Sequence, residues 1–263
     1  MVEARLNPGS YARKQLLSGS RLVAWSHRRR FEFACSAVGR GEALLDYGCG
    51  DGTFVAMVHE RFGRIVGADV DVGQTADCAR RMGSLGNVRF MLVRDLGGDH
   101  DGQYDVVTCM ETLEHCTEAV QDVVLGDLRR LVRPGGLVLI SVPIEIGPTL
   151  IAKQVARRVA GWRNLGDYKW TERYRWGELL RMTFAGWKTK IERPVHCRVR
   201  DDPTTASHGH KGFNWRTLRE KVRGFMTVER TRFTPLGWTG GLLSSQCWLF
   251  CRSEAAVKSS GTR

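Results

Sequence analysis

A glycine-rich turn at residues 46–52 has the residue types and spacing of a ligand-binding site. The run before it, residues 43–47, is apolar apart from Asp46, and it stops at Gly48, Gly50 and Gly52. An apolar run that ends at glycines, before a helical pattern over residues 53–61, predicts a strand, a turn and a helix. Glycine is needed where the backbone approaches a ligand closely or takes a positive φ.

The composition of this turn favours a ligand with an amino group over a phosphate. A dinucleotide site has the spacing G-x-G-x-x-G, whereas here the third glycine comes one residue early. The chain also contains no G-x-x-x-x-G-K-[ST] phosphate loop. Asp46, at the predicted carboxyl end of the strand, can accept hydrogen bonds from a cationic or hydroxylated ligand.

Acidic side chains also follow the next predicted strands. Asp69 ends the second strand, residues 65–69, at about the place where an acid binds ribose hydroxyls in nucleotide-binding α/β folds. Asp95 follows the third strand, and Glu111 follows the fourth, Tyr104–Met110. Apolar strands that alternate with helices predict a buried parallel sheet, and ligands bind beyond the carboxyl ends of its strands.

The motif D-x-G-x-G-x-G at residues 46–52 resembles the first motif of the class I S-adenosylmethionine-dependent methyltransferases. The series YDVV…EH…LRRLVRPGGLVLISVP, within residues 104–143, is also close to the pattern of that family. The resemblance implies an α/β fold: a Rossmann-like sandwich with a mostly parallel seven-stranded sheet and helices on both faces. It implies a helical N-terminal cap (1–40) and a methyltransferase domain (41–252) with a helical insertion or lid after the fifth strand (144–210). The polar composition of residues 253–263 predicts a disordered tail.

The same resemblance implies S-adenosyl-L-methionine as the cofactor. In the family, an acid after the third strand often bonds the adenine amino group, and we carry this role to Asp95. The cofactor-binding residues that we expect are Asp46, Gly48, Cys49, Gly50, Asp69, Asp95, Met110 and Glu111.

His115 is the predicted base or substrate-orienting residue, with Glu114 and His210 beside it as catalytic candidates. Methyl transfer is an in-line displacement, and an oxygen acceptor benefits from a base that titrates near neutrality, as histidine does. His115 follows the fourth strand, close to where the methyl group should lie, and His210 comes from the insertion. The alternative is that Glu114 and His115 only shape the pocket wall.

A divalent metal is a second interpretation of the same residues. Glu111, Glu114 and His115 share one face of a helical turn, and His210 completes a set of two carboxylates and two imidazoles. This set resembles that of the small-RNA 2′-O-methyltransferases, and the ubiquinone-pathway O-methyltransferases share its E-x-x-E-H part. The chain departs from the RNA pattern at Gly212 and in its insertion, so we assign no metal ligands.

The net charge of +12 is unevenly distributed. Residues 41–143 carry −7, whereas residues 1–40 carry +6 and residues 144–226 carry +10. An acidic half suits a cationic cofactor, and basic arms suit an anionic partner. The expected acceptor is a small molecule, a glycan or a lipid-linked intermediate; nucleic acid is the less favoured partner.

Two segments outside the motifs described above each have two interpretations. In the cap, Trp25 and His27 could face a substrate, or Trp25 could simply pack the helix. The basic amphipathic pattern over residues 148–163, with Ile151 and Val155 on its apolar stripe, fits either a lid or a helix on an anionic membrane surface.

The cellular setting is predicted from cysteine usage and hydropathy. The eight cysteines contain no C-x-x-C pair, and we expect them to be reduced core thiols. No apolar run reaches the roughly 18–20 residues of a membrane span, and no signal-peptide core is present. We therefore expect a cytoplasmic protein, with peripheral membrane contact as the alternative.

Overall fold

The computed structural model describes residues 21–162, 173–197 and 206–253. The first half of the predicted cap, the middle of the predicted insertion and all but the first residue of the predicted tail lie outside these ranges. The described helices are α1 Arg21–Val38, α2 Thr53–Val58, α3 Val72–Met82, α4 Glu118–Leu131, α5 Pro148–Trp162, α6 Trp176–Thr183 and α7 Trp215–Arg223. The described strands are β1 Gly41–Tyr47, β2 Phe62–Asp69, β3 Val88–Leu92, β4 Tyr104–Met110, β5 Val132–Pro143, β6 Val195–Cys197, β7 Ala206–His208, β8 Thr227–Thr234 and β9 Gln246–Arg252.

Seven of these strands form one sheet in the order β3-β2-β1-β4-β5-β9-β8. Strands β1 to β5 are parallel, whereas β9 is antiparallel to both of its neighbours, β5 and β8. The mostly parallel seven-stranded sheet is therefore confirmed. The remaining strands, β6 and β7, form a separate antiparallel pair within the insertion.

Alternate residues of the central strands enter two separate cores, because successive side chains of a strand point to opposite faces. Leu45 and Val107 belong to the core covered by α4, α5, α6 and α7. Their neighbours Leu44 and Val106 belong to the core covered by α1 and α2, which also contains Trp248 of β9. The sheet is thus buried on both faces, as parallel sheets require.

The strand order reverses between β1 and β4. β2 and β3 lie on one side of β1, and β4 and β5 lie on the other. Such a reversal opens a crevice at the carboxyl ends of the strands, where ligands of open α/β sheets bind. The glycine turn after β1 and the loop after β4 flank this crevice.

Hydrogen bonds near the start of α5 join the parts of the insertion to each other and to the loop between β8 and β9. The amide of Gly147 donates to the carbonyl of Met182 in α6 (3.0 Å), and the hydroxyl of Thr149 donates to the carbonyl of Leu242 (2.5 Å). None of the described helices has the length and apolarity needed to cross a bilayer.

Candidate active site

The glycine turn is held against the end of β2 by backbone hydrogen bonds. The amides of Gly48 and Cys49 both donate to the carbonyl of Ala68 (2.7 and 3.0 Å). Gly48, Gly50 and Gly52 all have positive φ, which explains the glycine at each position. A side chain on Gly48 would collide with Thr112, whereas one on Gly50 would meet no atom within 4 Å. Backbone is therefore exposed to open space at Gly50, as close approach of a ligand requires.

Asp69 joins this turn to the loop after β2. One carboxylate oxygen accepts from the amide of Gly50 (2.9 Å), and the other accepts from the amide of Asp71 (3.0 Å). The residue is only 9% exposed. Asp69 thus has a structural task in addition to its predicted ligand contact, since it fixes the position of the turn.

Asp46 lies almost completely buried beneath the turn. Its Oδ1 accepts a hydrogen bond from the hydroxyl of Thr108 (2.6 Å). Burial raises its pKa to about 7, an effect that the nearby charge of Asp69 adds to and the Thr108 hydroxyl opposes. A cation bound nearby would favour the ionised form of Asp46 and lower its pKa.

Cys49 and Asp95 have contrasting surroundings. The thiol of Cys49 is buried, and burial holds its pKa well above the ordinary value, so this thiol stays neutral. Asp95 follows β3 in a short 3-10 turn, and its side chain is 57% exposed at the rim. Asp95 can therefore contact only the part of a bound ligand that lies at the mouth of the crevice.

Met110 and Glu111 leave β4 beside the glycine turn. Glu111 has φ +53° and is the one non-glycine residue with positive φ in the described ranges. Its amide donates to the carbonyl of Ser141 in β5 (3.0 Å). Its carboxylate forms an ion pair with Arg30 of α1 (2.9 Å) and accepts a hydrogen bond from Gln246 of β9.

The imidazole of His115 has a defined tautomer. Its Nδ1 lies 2.9 Å from the carbonyl oxygen of His208, and the amide of His208 donates to the carbonyl of His115 (2.8 Å). Because a carbonyl only accepts, Nδ1 carries the hydrogen, and in the neutral ring Nε2 is left as the proton acceptor. The side chain is 44% exposed and so remains accessible.

Glu114 and His210 complete a cluster around this Nε2. Glu114 Oε1 lies 3.9 Å from His115 Nε2, and the rings of His115 and His210 pack edge to face with centroids 4.9 Å apart. Glu114 is fully buried, and within the described ranges neither of its carboxylate oxygens nor His210 Nδ1 has a hydrogen-bond partner. Burial, together with the charge of Glu111, raises the pKa of Glu114 well above its usual range, and burial lowers that of His210 to about 4.

One ligand atom from each of Glu114, His115 and His210 fits within a 4.8 Å cluster. Unpartnered buried oxygen and nitrogen atoms are the donor set of a divalent cation, so these three residues fit one. Glu111 does not join them, because its carboxylate faces Arg30 and Gln246. The four-residue set predicted for the RNA-type enzymes is therefore not assembled among the described residues.

Three further polar residues of this region escaped the sequence analysis. Glu145, just after β5, is 1% exposed and accepts hydrogen bonds from Lys153 (3.0 Å) and Arg157 (2.8 and 3.0 Å). Although burial alone would raise it, these two cations hold the pKa of Glu145 below its ordinary value. The signal was present, since Glu145 is one more acid at a strand's carboxyl end. Arg30 and Gln246 had no comparable signal.

Lys153 and Arg157 of α5 thus point inward to Glu145, although the amphipathic pattern left them free to face a membrane. In the cap, Trp25 is 43% exposed and His27 is half-buried, so both alternatives for this segment stay open. Burial, together with the charge of Arg30, lowers the pKa of His27 to about 4.

Comparison with known proteins identifies a methyltransferase domain in this chain. Residues 45–138 match the family model described as "Methyltransferase domain". The chain is 28% identical over 150 residues to the ubiquinone biosynthesis O-methyltransferase of Idiomarina loihiensis, covering 55% of this chain and 60% of that protein. It is 32% identical over 106 residues to the enzyme of the same name from Pseudomonas paraeruginosa, covering 38% of this chain and 44% of that protein. The chain therefore matches less than two thirds of the length of these curated relatives.

Solved structures share the fold at low sequence identity. The PH0226 protein from Pyrococcus horikoshii OT3 is 12% identical, with a TM-score of 0.58 over 94% of this chain and 100% of that chain. Geranyl diphosphate C-methyltransferase from Streptomyces coelicolor A3(2), solved with Mg²⁺, geranyl diphosphate and S-adenosyl-L-homocysteine, is 13% identical, with a TM-score of 0.53 over 94% of this chain and 84% of that chain. Residues 45–138 therefore form a methyltransferase domain, and in its motifs and fold the chain is similar to the class I S-adenosylmethionine-dependent methyltransferases.

Proposed function

We propose that this protein transfers a methyl group from S-adenosylmethionine to an oxygen atom of a small-molecule acceptor. The hydrogen bond from the Gly50 amide to Asp69 carries the proposal. It joins the open glycine backbone to a buried acid at the topological reversal of the sheet, where nucleotide ligands of this fold class bind. The neighbouring acid, Asp46, suits a cationic ligand, and the matching relatives are named as O-methyltransferases.

The cofactor would supply an activated methyl carbon, and this chain would supply alignment, a dry pocket and a base. Gly50 and Asp69 would bind and orient the nucleoside part, with Asp95 at the outer rim. His115 Nε2 would take the proton that an acceptor hydroxyl loses. The His208 carbonyl keeps that nitrogen unprotonated in the neutral ring.

His115, and not the fold, indicates that the acceptor atom is oxygen, because proteins with this fold carry out different reactions. Structures with similar folds include an N1-methyltransferase from Burkholderia thailandensis and a [4+2]-cyclase. An oxygen nucleophile has a proton to lose, and His115 is an accessible base beside a buried, neutral carboxylic acid. A small molecule, a glycan or a lipid-linked intermediate meets this requirement. The RNA alternative is less favoured, because Glu111 faces Arg30 instead of the cluster.

A cation-assisted version of the same reaction is the second candidate. The unpartnered oxygens of Glu114 favour it, because a buried carboxyl group without a partner is costly unless it stays neutral or meets a cation. A bound cation would polarise the acceptor oxygen and lower the pKa of its hydroxyl. His115 cannot ligate through Nε2 and act as the base at once, so the two versions exclude each other.

We also propose an anionic lipid surface as a partner of the insertion. Trp176, Leu180 and Phe184 recur at intervals of four residues and are 76, 59 and 83% exposed. Trp187 is 53% exposed, with Lys188 over its ring. The described parts of the insertion, residues 144–162, 173–197 and 206–210, contain nine basic and three acidic side chains. Exposed aromatics among basic residues suit the boundary of an anionic bilayer, which would bring a lipid-linked acceptor to the pocket.

Calorimetric titration of the full chain with S-adenosylmethionine and S-adenosylhomocysteine, with and without chelator, tests the main proposal. We expect both nucleotides to bind, and chelator to leave that affinity unchanged. Failure of a folded sample to bind either nucleotide would overturn the cofactor assignment from Asp46 onward. Methyl-transfer assays with hydroxylated acceptors, run with and without chelator, then separate the base-assisted from the cation-assisted reaction.

A further inference from the structure

Arg30 connects helix α1 to the loop at the carboxyl end of β4. Its Nη1 lies 2.9 Å from Glu111 Oε2, and its side chain is only 11% exposed. The second oxygen of Glu111 accepts from Gln246, at the start of β9. One carboxylate therefore joins an N-terminal helix, a central loop and a C-terminal strand.

The two halves of α1 are held differently. The second half is anchored by apolar burial, because Phe31, Ala34, Cys35 and Val38 all lie in the core. In the first half, Trp25, Arg28 and Arg29 are exposed. Arg30 directly precedes the first of these core residues, and its ion pair with Glu111 provides a polar attachment for this part of the helix.

The backbone conformation of Glu111 also requires stabilising contacts from other residues. A non-glycine residue with φ near +53° is in the left-handed region, a strained conformation that persists where surrounding contacts fix it. The next residue, Thr112, packs directly against Gly48 of the cofactor turn. Any shift of Glu111 would therefore displace Thr112 and disturb the glycine turn, where the nucleotide is expected to bind.

We propose that Arg30 is a positioning residue, which fixes Glu111 at the edge of the proposed cofactor pocket and holds residues 21–30 of α1 in place there. The pocket's identity rests on the proposed function, whereas the attachment of the helix does not. The neighbouring Arg29 offers a matched control. It carries the same charge on the same helix, is 54% exposed and pairs with Glu32 within the helix.

Hydrogen exchange of the full chain compares wild type with Arg30→Ala, Arg30→Lys and Arg29→Ala. In Arg30→Ala we expect amides of residues 21–30 to exchange about tenfold faster, as loss of a part-buried charged hydrogen bond implies, and those of 31–38 to be unchanged. Arg30→Lys should recover part of this protection, and Arg29→Ala should match wild type. Equal exchange in the two alanine variants, or equal acceleration throughout 21–38, would overturn the proposal.

Titration with S-adenosylhomocysteine provides the second readout. We expect Arg30→Ala to weaken its binding about tenfold or more, and Arg29→Ala to leave it unchanged. Unchanged affinity in Arg30→Ala would overturn the positioning role. Absence of binding by wild type would instead overturn the proposed function, and the exchange comparison without ligand would still decide whether Arg30 holds the helix.

Discussion

His115 and His208 exchange two hydrogen bonds across 93 residues: the imidazole of His115 donates to the carbonyl of His208, and the amide of His208 donates to the carbonyl of His115. The β7 strand of the insertion therefore determines the tautomer of the predicted base. With Nδ1 occupied by this contact, Nε2 is left beside the carboxyl group of Glu114.

His115→Asn separates the base from this structural contact. The asparagine Nδ2 can replace imidazole Nδ1 as the donor to His208, but it offers no equivalent of Nε2. We expect methyl transfer to fall about 10²- to 10⁴-fold, as loss of a general base implies, while affinity for S-adenosylhomocysteine stays within a factor of two or so. Steady-state kinetics and calorimetry measure the two effects. A loss of nucleotide affinity would make His115 part of the cofactor site instead.

Gly50→Ala tests the open face of the glycine turn. The added methyl group meets no protein atom, so we expect it to occupy space needed by the nucleotide and to reduce affinity by at least about tenfold. Gly135→Ala is the control, since Gly135 also has positive φ and open space around it but lies in β5. Both variants should lose a similar stability, about 1 kcal/mol, in denaturant unfolding. Equal nucleotide affinity in the two variants would argue against contact at Gly50.

Asp46→Asn should stabilise the ligand-free protein near neutral pH. The pKa of Asp46 is raised to about 7 in the folded protein, from 3.8, so folding is penalised progressively as the pH rises from about 4 to 7. Asparagine cannot ionise, and it can still accept from Thr108. We therefore expect the variant to gain free energy of unfolding relative to wild type between pH 5 and pH 8, with both proteins free of ligand. Denaturant unfolding at the two pH values measures this, and a pH-independent difference would contradict the assignment.

Glu114→Gln tests the cation-assisted candidate. If the cluster takes a divalent cation, wild type should bind Mn²⁺ in calorimetry, and the variant should lose at least about tenfold in affinity because a charged oxygen ligand is gone. Glu60→Gln is the control, since the Glu60 side chain is 78% exposed. Absence of Mn²⁺ binding by wild type would leave Glu114 as a buried neutral acid and favour the histidine base.

Phe184→Ala combined with Trp176→Ala tests the lipid surface. We expect the pair to reduce co-sedimentation with phosphatidylglycerol vesicles several-fold, because both exposed aromatic side chains are removed. Neutral phosphatidylcholine vesicles should bring down little of either protein. Val123→Ala is the control, because Val123 is 65% exposed on α4. Equal sedimentation of all three proteins would argue against this surface.

The strand–turn–helix units were predictable because glycines and acids follow apolar runs at regular intervals. The structure has β4 with the predicted bounds, and β1 and β2 each end at the predicted residue, where the site lies. Their starts differ by two or three residues, because pairing with neighbouring strands extends them beyond the apolar run. The helix predicted over residues 53–61 is an α-helix only to Val58 and continues as a 3-10 turn over His59–Arg61.

The ion pairs of the site could not be predicted. Arg30 and Glu111 are 81 residues apart, and no periodicity connects a helix arginine to a loop acid. Lys153 and Arg157 resembled an outward basic face until the sheet brought Glu145 beneath them. Ion pairs of this kind form between elements that are distant in sequence, so they become visible only when the complete fold is known.

The interior position of β9 has a consequence for synthesis of the protein. Strand β5 is complete at Pro143, yet among the described strands the one that pairs with its outer edge is β9, Gln246–Arg252. While the ribosome makes the intervening hundred or so residues, that edge of a largely apolar strand stays unpaired. We therefore expect the nascent chain to depend on chaperones until Arg252 has left the ribosomal tunnel.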